Sequence, residues 1–280
     1  MGNKQQAILI GPGRWGTIVK KYLIQHFDLI GEYNSKTYTP DVHRQCRVAF
    51  ICTPPETHFE IARQAMIAGQ HVFLEKTPCT TPEECDVLYE HALRKDVALH
   101  VNYLYRYDPM IQYLAEITRV TAPNSINITF LKKPHTNRIV IEAFGSHCLS
   151  IAHDLSHAKA LYVMSFGYDN RNSSAFCCNL VGSFWPVKNP NIVINCKYAN
   201  ENIDHREITI IYDNLMLCGS LSTGELWCNG VLFRMFDTKN DIDNSIKAFK
   251  KEMESPTSPY RGKDTEIQRT VHRTIRGYYD

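Results

Sequence analysis

The chain contains no apolar run approaching the roughly 20 residues that a helix needs to cross a bilayer. Its start, Met1-Gly2-Asn3-Lys4-Gln5-Gln6, lacks the apolar stretch of an export signal, and Gln6 stands where a myristoylation start wants Ser or Thr. A cytoplasmic protein without a membrane partner is expected. An excess of one charge is missing too: 31 Lys and Arg against 29 Asp and Glu leave a net charge of +2, with no basic stripe interleaved with aromatics. That balance excludes nucleic acid as an expected partner. The 10 cysteines include no C-x-x-C pair, and several sit inside apolar runs, the pattern of free thiols. His153 and His157 stand four apart on a predicted helix, but neither H-E-x-x-H nor a cysteine cluster accompanies them, so no metal is expected. Internal repeats, low-complexity tracts and long linkers are absent as well.

What is present is a folded composition, 44% hydrophobic and 21% charged, in a chain of 280 residues that suits two domains. Up to about residue 105, short β-rich runs alternate with helical periodicity, the signature of βαβ units. Helices are predicted over 14–26 and 56–68, the second stopped by Gly69, and a third opens at Thr81-Pro82-Glu83-Glu84, where Thr81 and Glu84 have capping-box spacing. A strand follows over 97–102, and Asp108-Pro109 opens a helix ending near Arg119. Beyond residue 124 the texture changes to closely spaced alternating runs broken by one helix around 142–160, which reads as a mostly antiparallel sheet. Helical stretches at 241–254 and 264–277 close the chain. The expected fold is α/β: a Rossmann dinucleotide-binding domain over 1–119, followed by an α+β domain over 120–280 with a mostly antiparallel open sheet.

The strand Ala7-Ile8-Leu9-Ile10 runs into Gly11-Pro12-Gly13-Arg14-Trp15-Gly16 and then a helix, the context that gives a G-x-G-x-x-G loop its meaning. Gly11 permits the tight turn, Gly13 lets the backbone approach a pyrophosphate, and Gly16 allows close packing of helix on strand. Amides near Arg14 and Trp15 then point at the anion, with the positive end of the helix dipole behind them. At the end of the second strand, Asn34-Ser35-Lys36 removes a repelling carboxylate and supplies donors for a 2′-phosphate, so NADP is preferred. Glu32, on the same strand face as Asn34, argues for NAD if it is the terminal residue.

Two further apolar runs end in reactive-looking turns: Val48 to Cys52 stops at Thr53-Pro54-Pro55 with His58 beyond, and His71 to Leu74 ends in Glu75-Lys76-Thr77-Pro78. Together with the glycine loop, these segments resemble the glucose-fructose oxidoreductase, inositol dehydrogenase and rhizopine-catabolism family, Gfo/Idh/MocA. Arg106 and Pro109 are similar to the family's Arg-x-x-Pro, and Phe144-Gly145-Ser146-His147 is similar to its substrate-domain helix. The resemblance implies that Lys76 is the proton donor and acceptor, that His147 assists it, and that Cys52, Thr53, Pro54, His58 and Glu75 line the cofactor. Tyr105 and Arg106 fall where substrate is bound. For Arg106, bidentate capture of a carboxylate or phosphate stands beside a structural ion pair.

Three departures from the family pattern are visible. Thr77 is inserted before the proline of Glu-Lys-Pro, the segment between Asn34 and Arg47 is too short for the usual helix and strand, and Ala143 replaces an acid four residues before the helix histidine. Glu142 is adjacent, but one helical position turns a side chain by about 100 degrees. The expected function is an NADP- or NAD-dependent oxidoreductase acting on a hydroxyl or keto carbon of a small-molecule substrate, a sugar, nucleotide sugar or cyclitol. A non-catalytic dinucleotide sensor or scaffold, favoured by Ala143, and an imine reductase are the alternatives. A homo-oligomer through the C-terminal sheet is expected by the same resemblance.

Overall fold

The structure is a computed structural model describing residues 4–132, 140–158, 161–168, 175–182, 191–198, 203–256 and 264–272. In chain order its first elements are β1 (Gln6–Ile10), α1 (Arg14–His26), β2 (Asp28–Tyr33), β3 (Val48–Ile51), α2 (Pro55–Ile67), β4 (His71–Glu75), α3 (Pro82–Lys95) and β5 (Leu99–Asn102). Then follow α4 (Pro109–Val120), β6 (Ser125–Lys132), α5 (Ser146–Ser156), β7 (Leu161–Tyr168), β8 (Ala175–Gly182) and β9 (Asn191–Tyr198). The last are β10 (Asp204–Ile211), β11 (Met216–Ser220), β12 (Glu225–Cys228), β13 (Val231–Met235) and α6 (Asp241–Glu254).

Two compact units result. One runs to Leu104 and takes back Ile242–Gln268, while the other holds Tyr105–Asp241 and resumes at Arg269. The boundary read from the sequence at 119/120 does not coincide with this division. Residues 105–119 group with the second unit, and nearly all of α6 returns to the first, because its apolar face completes that unit's core.

In the first unit, five parallel strands lie in the order β2-β1-β3-β4-β5. Strand order reverses around β1, so the glycine loop leaves the sheet at the switch point, where open α/β sheets take ligands. Both faces are covered, as the continuous apolar runs require. Ile8, Ile10, Ile51 and Leu74 pack under Ile61, Ala65, Leu88 and Tyr89 of α2 and α3. Their alternate neighbours Ala7, Leu9, Phe50 and Phe73 pack under Val19 and Leu23 of α1 and under Ile246 and Phe249 of α6. Phe50 stacks on Phe73 at 4.8 Å and meets Phe249 edge-on at 5.7 Å.

The expected shortening after β2 is present. A single 3-10 turn, Pro40–Arg44, occupies the space between β2 and β3. It buries Val42, and His43 anchors it through Gln70 at 2.7 Å and the Tyr38 hydroxyl at 2.9 Å. The α3 capping box forms as the spacing predicts, with Glu84 N–H donating to Thr81 Oγ1 and Thr81 N–H donating to Glu84 Oε2, each at 3.2 Å. Each such cap stabilises a helix by about 1 kcal/mol.

In the second unit, eight strands lie in the order β13-β12-β11-β10-β6-β9-β8-β7. Only β6 and β9 pair in parallel; the other pairings are antiparallel. Ile126, Ile128 and Phe130 of β6 and Ile208 and Ile210 of β10 form the buried face, alternating with half-buried neighbours. The helix predicted around 142–160 is realised as α5, introduced by a π turn at Ile141–Gly145 and stopped at His157, which takes the left-handed conformation with φ +52°. His157 is a helix cap whose Nε2 lies 2.9 Å from the Ala115 carbonyl of α4. Of the last predicted helix, 264–272 is helical and 273–277 lies outside the described residues. Among the described residues, no helix is long and apolar enough to cross a membrane.

Candidate active site

The glycine loop is built as its spacing requires. Gly11 has φ +88°, and a Cβ there would stand 2.7 Å from the backbone of Cys52 and Thr53. A Cβ on Gly16 would meet the Gly11 carbonyl oxygen at 2.2 Å, so helix and strand pack closely only without one. Gly13 is the opposite case: nothing lies within 4 Å of the position its Cβ would take. That open space adjoins the first turn of α1, which has neither a side-chain cap nor an acidic residue. Free amides and the helix dipole fit an anion there, and the fit is to the phosphates of a dinucleotide.

At the carboxyl ends of β3 and β4, the chain presents Cys52-Thr53-Pro54 and Glu75-Lys76-Thr77. Lys76 is half-buried, and Glu75 is only 6% exposed. Burial raises the Glu75 carboxyl's pKa, while hydrogen bonds from Asn102 and the Trp15 indole and the charge of Lys76 act the other way. Asn102 Nδ2 donates to Glu75 Oε1 at 2.6 Å across the β4–β5 register. Trp15 thereby ties the glycine loop to the end of β4. Burial, and then the Glu75 carboxylate, hold the Cys52 thiol well above its ordinary pKa. Cys52 therefore serves as packing beneath the loop and not as a nucleophile.

His58 is placed differently from its expected role among cofactor-lining residues. It is fully buried, with Nδ1 2.7 Å from the Thr77 carbonyl oxygen and Nε2 2.7 Å from that of Thr53. Two acceptors at that range are satisfied together only when both ring nitrogens carry protons. His58 is a strut joining the turn after β3 to the turn after β4, and it shapes both without facing a ligand.

Strand β2 ends at Tyr33, so Asn34 is the first residue beyond it. Asn34 Oδ1 accepts from Lys36 N–H at 2.9 Å, closing a turn in which Asn34, Ser35 and Lys36 are exposed. Glu32 lies inside the strand, and its carboxylate is paired with Lys20 of α1 at 2.5 Å.

In the second unit, His147 occupies the first turn of α5 and is 7% exposed, with its ring edge-on to Tyr105 at 5.1 Å. Tyr105 is buried, accepts a hydrogen bond from Arg206 Nη1 at 2.9 Å, and has its pKa raised to about 12 by burial. Arg106 is buried as well, and its Nε lies 3.3 Å from Asp154 Oδ2. Of its two expected roles, the structure displays the ion pair. Both residues assigned to substrate on sequence grounds thus have protein partners inside their own unit, and Tyr103, in the same stretch, is fully buried.

Residues 20–103 match the family model described as an oxidoreductase family with an NAD-binding Rossmann fold, GFO_IDH_MocA. Over that stretch, less than a third of its length, the chain is similar to the Gfo/Idh/MocA family. An uncharacterized oxidoreductase, sll0816, from Synechocystis is 40% identical over 67 residues, 24% of this chain and 18% of that protein. UDP-N-acetylglucosamine 3-dehydrogenase from Acidithiobacillus ferrooxidans is 39% identical over 66 residues, 24% of this chain and 21% of that protein. The aligned stretches thus span about a fifth of the length of these relatives. The solved structure of that dehydrogenase, GnnA, superposes with a TM-score of 0.83 at 16% identity over 99% of this chain and 98% of its own. At that identity, the likeness is one of fold, and it extends over both units.

Against the Gfo/Idh/MocA pattern, sequence reasoning missed Asn102, Ser245 and His100. Ser245 Oγ donates to Asn102 Oδ1 at 2.7 Å, and His100 Nε2 lies 2.9 Å from Ser245 Oγ. The available signal was polar alternation in an otherwise apolar strand, Leu99-His100-Val101-Asn102, which puts two polar side chains on one face. Among the described residues, no group of three or more His, Cys, Asp or Glu is gathered as metal ligands would be.

Proposed function

We propose that this chain is an NADP- or NAD-dependent dehydrogenase or reductase that moves a hydride to or from a hydroxyl or keto carbon of a sugar, nucleotide sugar or cyclitol. The observation that carries the reading is Lys76, half-buried at the carboxyl end of β4, on the same sheet edge as the open glycine turn. Gly11, Gly13, Arg14, Trp15 and Gly16 would hold the phosphates, with Thr53 and Pro54 beside them. The nicotinamide, when bound, supplies the hydride chemistry. Lys76 donates or accepts the proton at the substrate oxygen, a role suited to an amine whose charge is sensitive to its partly desolvated surroundings. His147 orients the reacting oxygen, and Ala143 leaves it without the acid found in many family members. Sugar nucleotides head the candidate substrates because a relative is a UDP-N-acetylglucosamine 3-dehydrogenase.

NADP is the preferred cofactor: Asn34, Ser35 and Lys36 stand beyond the strand end, and Glu32, the residue that argues for NAD, is engaged with Lys20. Fluorescence titration with NADPH and NADH tests this directly, with tighter NADPH binding expected. Turnover is tested on a panel of sugars and sugar nucleotides, where Lys76→Met should lose about 10²-fold or more while still binding NADPH. Binding without any turnover that Lys76→Met abolishes would instead favour the sensor or scaffold reading, whose support is Ala143. A homo-oligomer through the second unit's sheet is supported by β13, where Val231, Leu232, Phe233 and Met235 are all exposed.

A further inference from the structure

Beneath Lys76, a single file of buried polar groups crosses the first unit's core from β4 to α6. Its direction can be worked out atom by atom. Glu75 Oε1 is 2.6 Å from Asn102 Nδ2, an arrangement that forces the amide to donate, since the flipped amide would set oxygen against oxygen. Asn102 Oδ1 must then accept, and Ser245 Oγ–H donates to it at 2.7 Å. With its proton committed, Ser245 oxygen accepts from His100 Nε2–H at 2.9 Å. His100 Nδ1 lies 3.1 Å from Glu252 Oε1, so a proton lies between these two atoms whichever carries it. From His100 Nε2 onward, every donor in the file therefore points toward Glu75. Aligned hydrogen bonds polarise one another, and this alignment favours negative charge at the end where they converge. Around the file the surroundings are apolar: His100 is stacked on Phe73 at 5.1 Å and lies 5.6 Å from Phe249.

We propose that Asn102, Ser245, His100 and Glu252 are positioning residues that hold Glu75 as an ionised carboxylate against Lys76, so that α6, distant in sequence, governs the proton exchange of the lysine. This rests on the assignment of Lys76 as the proton donor and acceptor, but its test reads the lysine without requiring turnover. If the file keeps Glu75 charged, interrupting it lets Glu75 take up a proton, and Lys76 loses its negative neighbour and releases its own proton at lower pH.

The experiment is competitive acetylation of the folded full-length protein across pH 6 to 11, with the Lys76 peptide quantified by mass spectrometry and Lys247 as the internal control. The Lys76 midpoint is expected to fall by about one pH unit in Glu75→Gln and by about half a unit in Asn102→Leu and Ser245→Ala. Glu252→Gln, at the outer end, should move it least, and Ser245→Thr, which keeps the hydroxyl, should restore the wild-type midpoint. A role in packing alone would lower thermal stability without this ordering. Should Asn102→Leu prove too unstable to label, Ser245→Ala and Ser245→Thr decide the question by themselves. An unchanged Lys76 midpoint in folded Ser245→Ala overturns the proposal while leaving the dehydrogenase reading intact. Full turnover by Lys76→Met would overturn that reading whatever the labelling shows.

Discussion

Each unit buries acid side chains, and the two units supply them with different partners. Glu75 in the first unit receives hydrogen bonds from Asn102 and Trp15 and sits beside Lys76. In the second unit, Asp108 is fully buried and Asp241 is 9% exposed, and each has one buried oxygen, Oδ2 and Oδ1 respectively, with no hydrogen-bond partner. Asp108 spends its other oxygen capping α4, accepting from Met110 and Ile111 N–H at 2.8 and 3.0 Å. Arg206, whose charge favours ionisation of both aspartates, is itself occupied by Asp204 at 2.8 Å and by the Tyr105 hydroxyl. Burial, reinforced by the neighbouring charges of Asp108 and Asp237, lifts Asp241 to about 8. Burial raises all three acids, and hydrogen-bond donors and positive neighbours oppose it to different extents.

The largest expected consequence is a pH dependence of stability. A carboxyl whose folded-state pKa lies far above its unfolded value of 3.8 keeps its proton in the native state after the unfolded chain has released it. The resulting stabilisation is complete below the unfolded value and is lost progressively as pH rises through about 8. Asp241→Asn is neutral throughout and should be more stable than wild type by ~3 kcal/mol at pH 8.5 and nearly equal to it at pH 4. Urea denaturation of both proteins at the two pH values measures this, and because other titrating groups are shared, they cancel in the difference. A constant difference across pH would show that Asp241 is ionised in the native state after all.

The same comparison is sharpened from the other side by depriving the well-served acid. Asn102→Leu removes one donor from Glu75 and strands Ser245 Oγ–H, so a loss of ~2 kcal/mol is expected in urea denaturation at pH 7. Because Glu75 would then resemble Asp241, the loss should shrink as pH is lowered toward 5. A loss that stays constant over that range would count against Glu75 being the charged end of the file.

These two sites also mark what the chain's spelling reveals. The glycine loop, the capping box at Thr81 and Glu84, and the cap at Asp108 were legible because each is completed within a few residues, so spacing alone encodes the geometry. The trimmed segment after β2 was legible as missing length. The Glu75 file was not, because Asn102 and Ser245 are 143 positions apart and meet only once α6 packs on the sheet. His58 could be found but not assigned, since its partners are backbone carbonyls that any residue type would offer. Arg106 stood undecided between anion capture and ion pairing until Asp154 was placed beside it. Residue identity located the chemistry in each case, and long-range packing decided its use.

The smallest effect concerns the counter-ion of the poorly served pair. Asp204 is about half exposed on its side chain, so its pairing with Arg206 adds little stability by itself, about 0.5 kcal/mol. Its larger influence is indirect. While Asp204 neutralises Arg206, the guanidinium offers less of its charge to Asp108 and Asp241. Asp204→Asn should leave Arg206 to act on them more fully, drawing the Asp241 pKa down from about 8 and flattening the pH dependence described above. The measurement is the same pair of urea titrations, with Asp204→Asn compared against wild type and against the Asp204→Asn, Asp241→Asn double variant. If the two substitutions are coupled through Arg206, Asp241→Asn stabilises less at pH 8.5 in the Asp204→Asn background than in wild type. Strict additivity would mean that Arg206 does not mediate between the exposed aspartate and the buried one.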